Sequence, residues 1–428
     1  MNNIDRFLNF LKKNRDYTLL RNTDVKKHLE NGGDIDIIVN DFKYYITNLL
    51  TSTDLPLMYI KRSYLHSFFW KWAHIDIFTS IEFRGANFIS NEKINSAKII
   101  NSNKLLEAPL HIQALVCWLS NLLLGGFFKS EYKSMIIQAA QESGEAFQAS
   151  LEYALGPVWG QRLFSLACEE RPEVSEKWIR PLRHALWWRA FRRSPFTTLT
   201  RWANYWNNQI LRCANPPTPW VALLGLDGSG KSTIAKSIKE TLGHGKPFMD
   251  VRIAHWRPFF FHQSQDMSPI VEPHGKSERG IFSSLAKLGF LVLEWIFGFW
   301  QCVLAPRAKG QLVIFDRHYV DLLVDPRRYR YSAPLWAARL VGNLIPKPDL
   351  FILLDLPAEV ARARKPEVSL DEARLMRQRY LDLTQSLSNA HVVDAARPLD
   401  EVVAEVEKII LTELQKQTTA RMCRAGLL

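Results

Sequence analysis

Val221-Ala-Leu-Leu-Gly-Leu-Asp-Gly-Ser-Gly-Lys-Ser-Thr233 is an apolar run that breaks into three glycines and then into a lysine and two hydroxyl residues. Its spacing is G-x-x-x-x-G-K-[ST], and Ile234-Ala-Lys-Ser-Ile-Lys continues it with a helical pattern. A buried strand, a tight loop and a helix N-terminus are therefore expected in succession. Glycines at 225, 228 and 230 let consecutive backbone N–H groups turn inward and cradle phosphates, backed by the positive end of the helix dipole. Lys231 offers a point charge to the outer phosphates, and the Ser232 hydroxyl suits Mg²⁺. The expected ATP-binding set is Gly225, Asp227, Gly228, Ser229, Gly230, Lys231, Ser232 and Thr233. The bland alternative, a Gly-rich turn beside a lysine, leaves the flanking strand and helix unexplained.

Downstream of this loop, strand-like and helix-like patterns alternate. Strands are expected at Val251 to His255, Gln311 to Phe315, Leu350 to Leu354 and His391 to Val393, and Leu399, Val402, Val403, Val406 and Ile410 mark a last amphipathic helix. Alternating β and α with near-continuous apolar strands predicts an α/β fold, a parallel sheet flanked by helices. Ligands of such sheets sit beyond the carboxyl ends of the strands. The phosphate loop, Trp256-Arg257-Pro258 and Asp316-Arg317-His318-Tyr319 all fall there.

Upstream, Asn215-Pro-Pro-Thr-Pro219 continues neither helix nor sheet and marks a boundary. The chain of 428 residues is long for one core, and three parts are expected: 1–105, 106–215 and 216–428. The middle part is helical. Its Arg180-Pro-Leu-Arg-His-Ala-Leu-Trp-Trp-Arg-Ala-Phe-Arg-Arg193 and Arg201-Trp-Ala-Asn-Tyr-Trp206 interleave arginine with tryptophan. That pattern suits stacking on bases or a membrane interface; the plainer expectation is tryptophans packed on a neighbour with arginines facing solvent.

In the first part, Asn31-Gly-Gly-Asp-Ile-Asp-Ile-Ile-Val-Asn40 predicts a strand beginning at Asp34. Alternation puts Asp34 and Asp36 on one face and Ile35 and Ile37 in a core. His74-Ile-Asp-Ile-Phe78 repeats the pattern and offers Asp76. Three such carboxylates can hold divalent metal for phosphoryl or nucleotidyl transfer. Two surface aspartates at a strand edge are the structural alternative.

Composition narrows the setting. Apolar residues at 47% and charged residues at 23% describe a globular protein, and the net charge of +12 implies affinity for anions. Five cysteines without a C-x-x-C pair fit a reducing, cytoplasmic compartment and argue against a zinc site. The most apolar segment, 281–306, is interrupted by Lys287 and Glu294, so no transmembrane segment is expected.

Two resemblances follow from these residues. The first hundred residues resemble the nucleotidyltransferase superfamily through the Asp-x-Asp spacing. They depart from it where a Gly-Ser or Gly-Gly usually starts a helix about ten residues earlier; Leu20-Arg-Asn-Thr-Asp24 stands there instead. Residues from Trp220 to Glu413 resemble thymidylate kinase through the phosphate loop, Asp316-Arg317, Pro348-Asp-Leu-Phe-Ile-Leu-Leu-Asp-Leu-Pro357, Arg362-Ala-Arg-Lys365 and Val393-Asp-Ala-Ala-Arg-Pro398.

The second resemblance implies roles. Lys231 and Ser232 hold ATP and Mg²⁺, Asp316 helps place the metal, Arg317 clamps the acceptor phosphate, and Asp227 orients the acceptor. Arg362 and Arg364, at a lid, meet transition-state charge. Arg257, Arg327 and Arg328 are further acceptor candidates. The departures lie in base recognition: His255-Trp-Arg-Pro-Phe-Phe-Phe261 replaces the family's Arg-Glu-Pro-Gly-Gly, and its thymine-reading residues are not identifiable. The implied activity is ATP-dependent phosphorylation of a phosphorylated small molecule, dTMP or a sugar phosphate of polysaccharide metabolism. A regulatory or nucleic-acid-binding NTPase is the alternative; nucleic acid is the less favoured partner, and a homodimer is compatible with the sequence.

Overall fold

The computed structural model describes residues 2–21, 24–243, 247–258 and 280–428. Phe259, Phe260 and Phe261 lie outside the described residues. The chain divides into two compact units, Met1–Leu211 with Arg421–Leu428, and Arg212–Ala420.

Among its described residues the first unit holds nine strands: β1 (Thr18–Leu19), β2 (Asp34–Ile38), β3 (Met58–Lys61), β4 (Leu65–Phe69), β5 (His74–Phe78), β6 (Ile81–Phe83), β7 (Ala86–Ile89), β8 (Ile99–Ile100) and β9 (Leu106–Glu107). Seven form a mixed sheet in the order β3-β4-β5-β2-β1-β9-β8, and β6 and β7 form a separate hairpin. Ile35, Ile37, Ile75 and Ile77 are fully buried, as period-two alternation requires. On one side they pack with Phe7, Tyr45 and Phe68. A second cluster joins Ile38 and the hairpin residues Phe83 and Phe88 to Trp118, Phe147 and Leu182 of the following helices. The helical stretch therefore shares a core with the strands.

The last helix of that stretch, Pro195–Ala214, overturns an expectation. Trp202 and Trp206 are exposed rather than packed, whereas Arg201 is partly buried beside Glu82. The helix presents its apolar stripe outward because its polar side is the one that meets the β6–β7 hairpin.

The second unit contains β10 (Trp220–Leu224), β11 (Val251–His255), β12 (Leu312–Asp316), β13 (Leu350–Asp355) and β14 (Ala390–Asp394), all parallel in the order β11-β12-β10-β13-β14. β10 and β12 are buried along their whole length, which explains their unbroken apolar sequence. β11 and β14, at the edges, are partly exposed. β12 runs one residue later than the pattern predicted, so Asp316 ends it and points its chemistry beyond the sheet.

The crossover from β11 to β12 includes the helix Ile281–Phe299, continued through a π-turn at Trp300–Leu304 to Ala305–Ala308. Among the described residues this is the one helix long and apolar enough to cross a membrane, as core helices of soluble proteins also are, and about a third of its most apolar stretch is buried. The two interrupting charges are locally matched: Lys287 Nζ donates to the Tyr329 carbonyl across 2.5 Å, and buried Glu294 pairs with Arg257.

Candidate active site

The phosphate loop leaves β10 at Leu224 and enters the helix Lys231–Leu242. Gly225, Gly228 and Gly230 take φ of 138°, 85° and 90°, which residues with a Cβ adopt only under strain. A Cβ on Gly225 would lie 2.7 Å from the Leu354 carbonyl oxygen, so this turn also needs glycine for close approach to β13.

Lys231 is buried and folded onto the loop, donating to the carbonyls of Gly225 at 2.9 Å and Leu226 at 2.8 Å. Burial, aided by the charge of Arg317, pulls its pKa down to about 8. Arriving phosphates would restore the charged form, so the lysine is poised for an anionic ligand. At the next position the Ser232 hydroxyl donates to Asp316 Oδ2 across 2.5 Å. Asp316 Oδ1 is buried with no hydrogen-bond partner among the described residues. A hydroxyl beside a carboxylate with a spare buried oxygen is an all-oxygen donor set that fits Mg²⁺.

Next to this set lies a buried charge network. Arg317 is 3% exposed and adopts φ of 77°. Its guanidinium donates to Asp227, to Asp321 Oδ1 at 3.3 Å and to the Tyr380 hydroxyl at 3.4 Å. Asp321 also accepts from the Tyr380 hydroxyl at 2.6 Å and from the His318 N–H at 2.7 Å. Arg328 closes the network by pairing with the second oxygen of Asp227. Burial alone would raise the Asp227 pKa, but Arg317, Lys231 and Arg328 hold it far below the usual carboxylate range.

The structure thus brings Lys231, Ser232, Asp316, Asp227, Arg317 and Arg328 together beyond the sheet. Ser229 is buried inside the loop, while Thr233 is exposed on the helix. Arg364 reaches the loop at the Gly228 carbonyl, 3.4 Å away, and Arg362 is exposed on the same short helix, Ala358–Arg364. Two acceptor candidates point elsewhere. Arg327 pairs with Glu372 at 3.1 Å, and Arg257 pairs with Glu294 while its guanidinium lies 5.2 Å from the Trp256 ring centroid. Trp256 stacks on Tyr329 with centroids 4.5 Å apart. Asp321, Tyr380 and Tyr329 were absent from the sequence-derived set.

In the first unit, β2 and β5 run parallel with Asp36 opposite Asp76. Asp34, Asp36 and Asp76 each place an oxygen within 4.8 Å of the others. Arg21 bridges two of them, donating to Asp34 Oδ2 at 2.6 Å and to Asp36. His74 Nε2 lies 3.0 Å from Asp76 Oδ1. Burial, against the pull of Arg21, raises the Asp36 pKa to about 7. A separate cleft of about 920 Å³ in this unit is lined by Arg6, Lys13, Arg15 and Lys98 and contains none of these aspartates.

No family model matches the chain. Curated proteins do. The chain is 32% identical over 205 residues to "Probable thymidylate kinase 1" of Saccharolobus solfataricus, covering 45% of this chain and 97% of that protein. It is 28% identical over 204 residues to "Probable thymidylate kinase" of Archaeoglobus fulgidus, covering 44% and 93%. It is 25% identical over 207 residues to "Thymidylate kinase" of Xanthomonas campestris pv. campestris, covering 45% and 83%.

Proposed function

The chain belongs to the thymidylate kinase family and is a phosphotransferase, and on that premise we propose that its second unit transfers the γ-phosphate of ATP to a phosphomonoester held by Arg317 and Arg328. One observation carries the reading: Asp227, inside the phosphate loop, holds both arginines at the edge of the ATP site. An incoming phosphate dianion offers those guanidiniums a stronger partner than a single carboxylate. Arginine suits this grip because its planar fork meets two phosphate oxygens at once.

The remaining residues position and neutralise. The loop N–H groups and Lys231 hold the ATP phosphates, and Arg364 lies close enough to the loop to meet charge that builds on the transferred group. Ser232 and Asp316 would hold Mg²⁺, which supplies charge neutralisation between the phosphates. Phosphoryl transfer needs little covalent chemistry beyond this, so positioning and electrostatics suffice. The free state of all five cysteines fits a reducing, cytoplasmic setting.

The test is ADP release with a panel of nucleoside monophosphates and sugar phosphates. Release that rises with one phosphomonoester supports the reading. Release stimulated by polynucleotide and by no phosphomonoester replaces it with a nucleic-acid-dependent NTPase.

A second reading concerns the first unit, where the convergence of Asp34, Asp36 and Asp76 supports a nucleotidyltransferase-like site. The three carboxylates are suitable ligands for a divalent cation, which would polarise a nucleotide phosphate. Any cation must compete there with the Arg21 guanidinium. Transfer of label from α-phosphate-labelled nucleotides, lost in Asp36→Asn, would support this reading, and no metal-dependent transfer in wild type would end it.

A further inference from the structure

The helix Pro195–Ala214 carries a feature that the kinase chemistry does not use. At 100° per residue, Phe196, Leu199, Trp202, Ala203, Trp206 and Ile210 fall within an arc of about 120°. The large members of this stripe are exposed, Phe196 by 85% and Ile210 by 65%. The opposite side is the one that packs. Thr198 is the helix's buried residue, Arg201 faces Glu82, and the turn at Gly85 approaches so closely that a Cβ there would lie 2.5 Å from the Trp202 backbone nitrogen. The helix is fixed to the fold by its polar face, with its apolar face turned to the outside.

The charge around the stripe indicates what covers it. From Lys177 to Ala214 the chain has eight Lys and Arg residues and no Asp or Glu, of which Arg183, Arg193, Arg201 and Arg212 turn inward to Leu123, Asn87, Glu82 and Ala308. Arg189 and Arg192, at the end of the helix Glu176–Arg193, are exposed just ahead of Phe196, and Trp188 beside them is exposed as well. We propose that this helix lies in the headgroup region of an anionic lipid bilayer, with Phe196, Leu199, Trp202, Trp206 and Ile210 in the acyl boundary and Arg189 and Arg192 on lipid phosphates. An amphipathic helix with Trp and aliphatic residues on one face, led into by exposed arginines, has the composition of an interfacial anchor. Twenty residues give about 30 Å of helix lying in the plane, enough for the whole stripe to engage. A single-stranded nucleic acid would use the arginines and tryptophans for phosphates and stacking, but it leaves Leu199 and Ile210 in water. A bilayer covers all of them.

The full-length protein is sedimented with vesicles of phosphatidylcholine, with or without phosphatidylserine. Binding is expected to anionic vesicles, and to weaken by ~10-fold or more without the anionic lipid. Phe196→Ser/Trp202→Ser/Trp206→Ser lowers binding at least ~10-fold while ADP release in the second unit stays at the wild-type rate. Trp202→Phe/Trp206→Phe keeps the apolar stripe and therefore keeps binding, but quenching of tryptophan emission by brominated acyl chains falls well below that of wild type. The proposal is overturned if the serine variant binds vesicles like wild type, if the phenylalanine variant is quenched as fully as wild type, or if the protein binds polyuridylate and ignores vesicles.

Discussion

Buried Arg317 and partly buried Asp227 form an ion pair across 90 residues of sequence, one projecting from the end of β12 and the other from the phosphate loop. The pair joins the place where ATP is expected to the place where its acceptor is expected. Its charges are matched only as a set, because Asp227 serves Arg328 as well and Arg317 serves Asp321. Asp227→Asn is therefore expected to cost both stability and transfer. Breaking a buried pair from one side costs about 3–5 kcal/mol. Thermal unfolding and steady-state kinetics on Asp227→Asn should show a lowered midpoint and a kcat/KM reduced by ~10²-fold or more. A variant with wild-type midpoint and kinetics would remove Asp227 from the site.

Lys231→Ala tests the phosphate loop itself. Among the described residues the lysine's hydrogen bonds go to loop carbonyls and Ser229, so its removal is expected to leave the sheet intact. Transfer should fall by ~10³-fold or more, with an unchanged circular dichroism spectrum. Near-wild-type turnover would sink the assignment of this loop to catalysis.

Asp34→Asn and Asp36→Asn address the independence of the two chemistries. Each aspartate is held within the first unit by Arg21, and no residue of the phosphate-loop set belongs to that unit. ADP release by the second unit should stay within a few-fold of wild type in both variants. Loss of the kinase reaction in either one would mean a composite site.

Glu82 gives a pH signature. It is 3% exposed, and burial, only partly offset by Arg201 at 3.7 Å, raises its pKa to about 7. A carboxyl whose folded pKa exceeds its unfolded value of about 4.3 stabilises the fold fully below that lower value. The contribution is lost as pH rises through about 7. Wild type should lose about 2 kcal/mol more than Glu82→Gln between pH 5 and pH 8 in denaturant unfolding of the full chain. Parallel pH profiles for the two proteins would show that Glu82 does not titrate in this range.

The parts of the fold that were readable are those encoded locally. Glycine spacing around Lys231, unbroken apolar strands and the alternation at Asp34 each depend on neighbours a few residues away. The residues that escaped are tied by long-range pairing. Arg21 stands 13 and 15 residues from its aspartates, and Tyr380 is 59 residues from Asp321. Arg327 and Arg328 are adjacent and chemically identical in sequence, yet one faces Glu372 and the other Asp227. Composition cannot separate them; only the turn that carries them can. The outward stripe of the Pro195–Ala214 helix was equally hidden, since periodicity reveals that a helix is amphipathic but not which side meets the protein.

The last prediction is that dTMP is a poor acceptor, although the relatives are thymidylate kinases. Reading a pyrimidine needs donors and acceptors aimed at its edge, and a site built that way discriminates by factors of ~10⁴ or more. Here Arg328 is itself committed to Asp227 and to Glu367 at 3.5 Å. Trp256 is stacked on Tyr329, and Arg257 is held by Glu294. Tyr329 itself is buried, and burial drives its hydroxyl pKa far up, so it presents a neutral surface beside the arginines. Such surroundings favour a phosphate carrying a larger apolar group or a second anion over a base with a defined hydrogen-bonding edge. Steady-state kinetics decide the matter. Turnover of dTMP above about 1 s⁻¹, within the usual kinase range, would refute the prediction and make thymidylate the natural acceptor. Weak turnover of dTMP beside faster turnover of another phosphomonoester would place the specificity in Trp256, Tyr329 and Arg328, and Tyr329→Ala should then raise KM for that acceptor more than it lowers kcat.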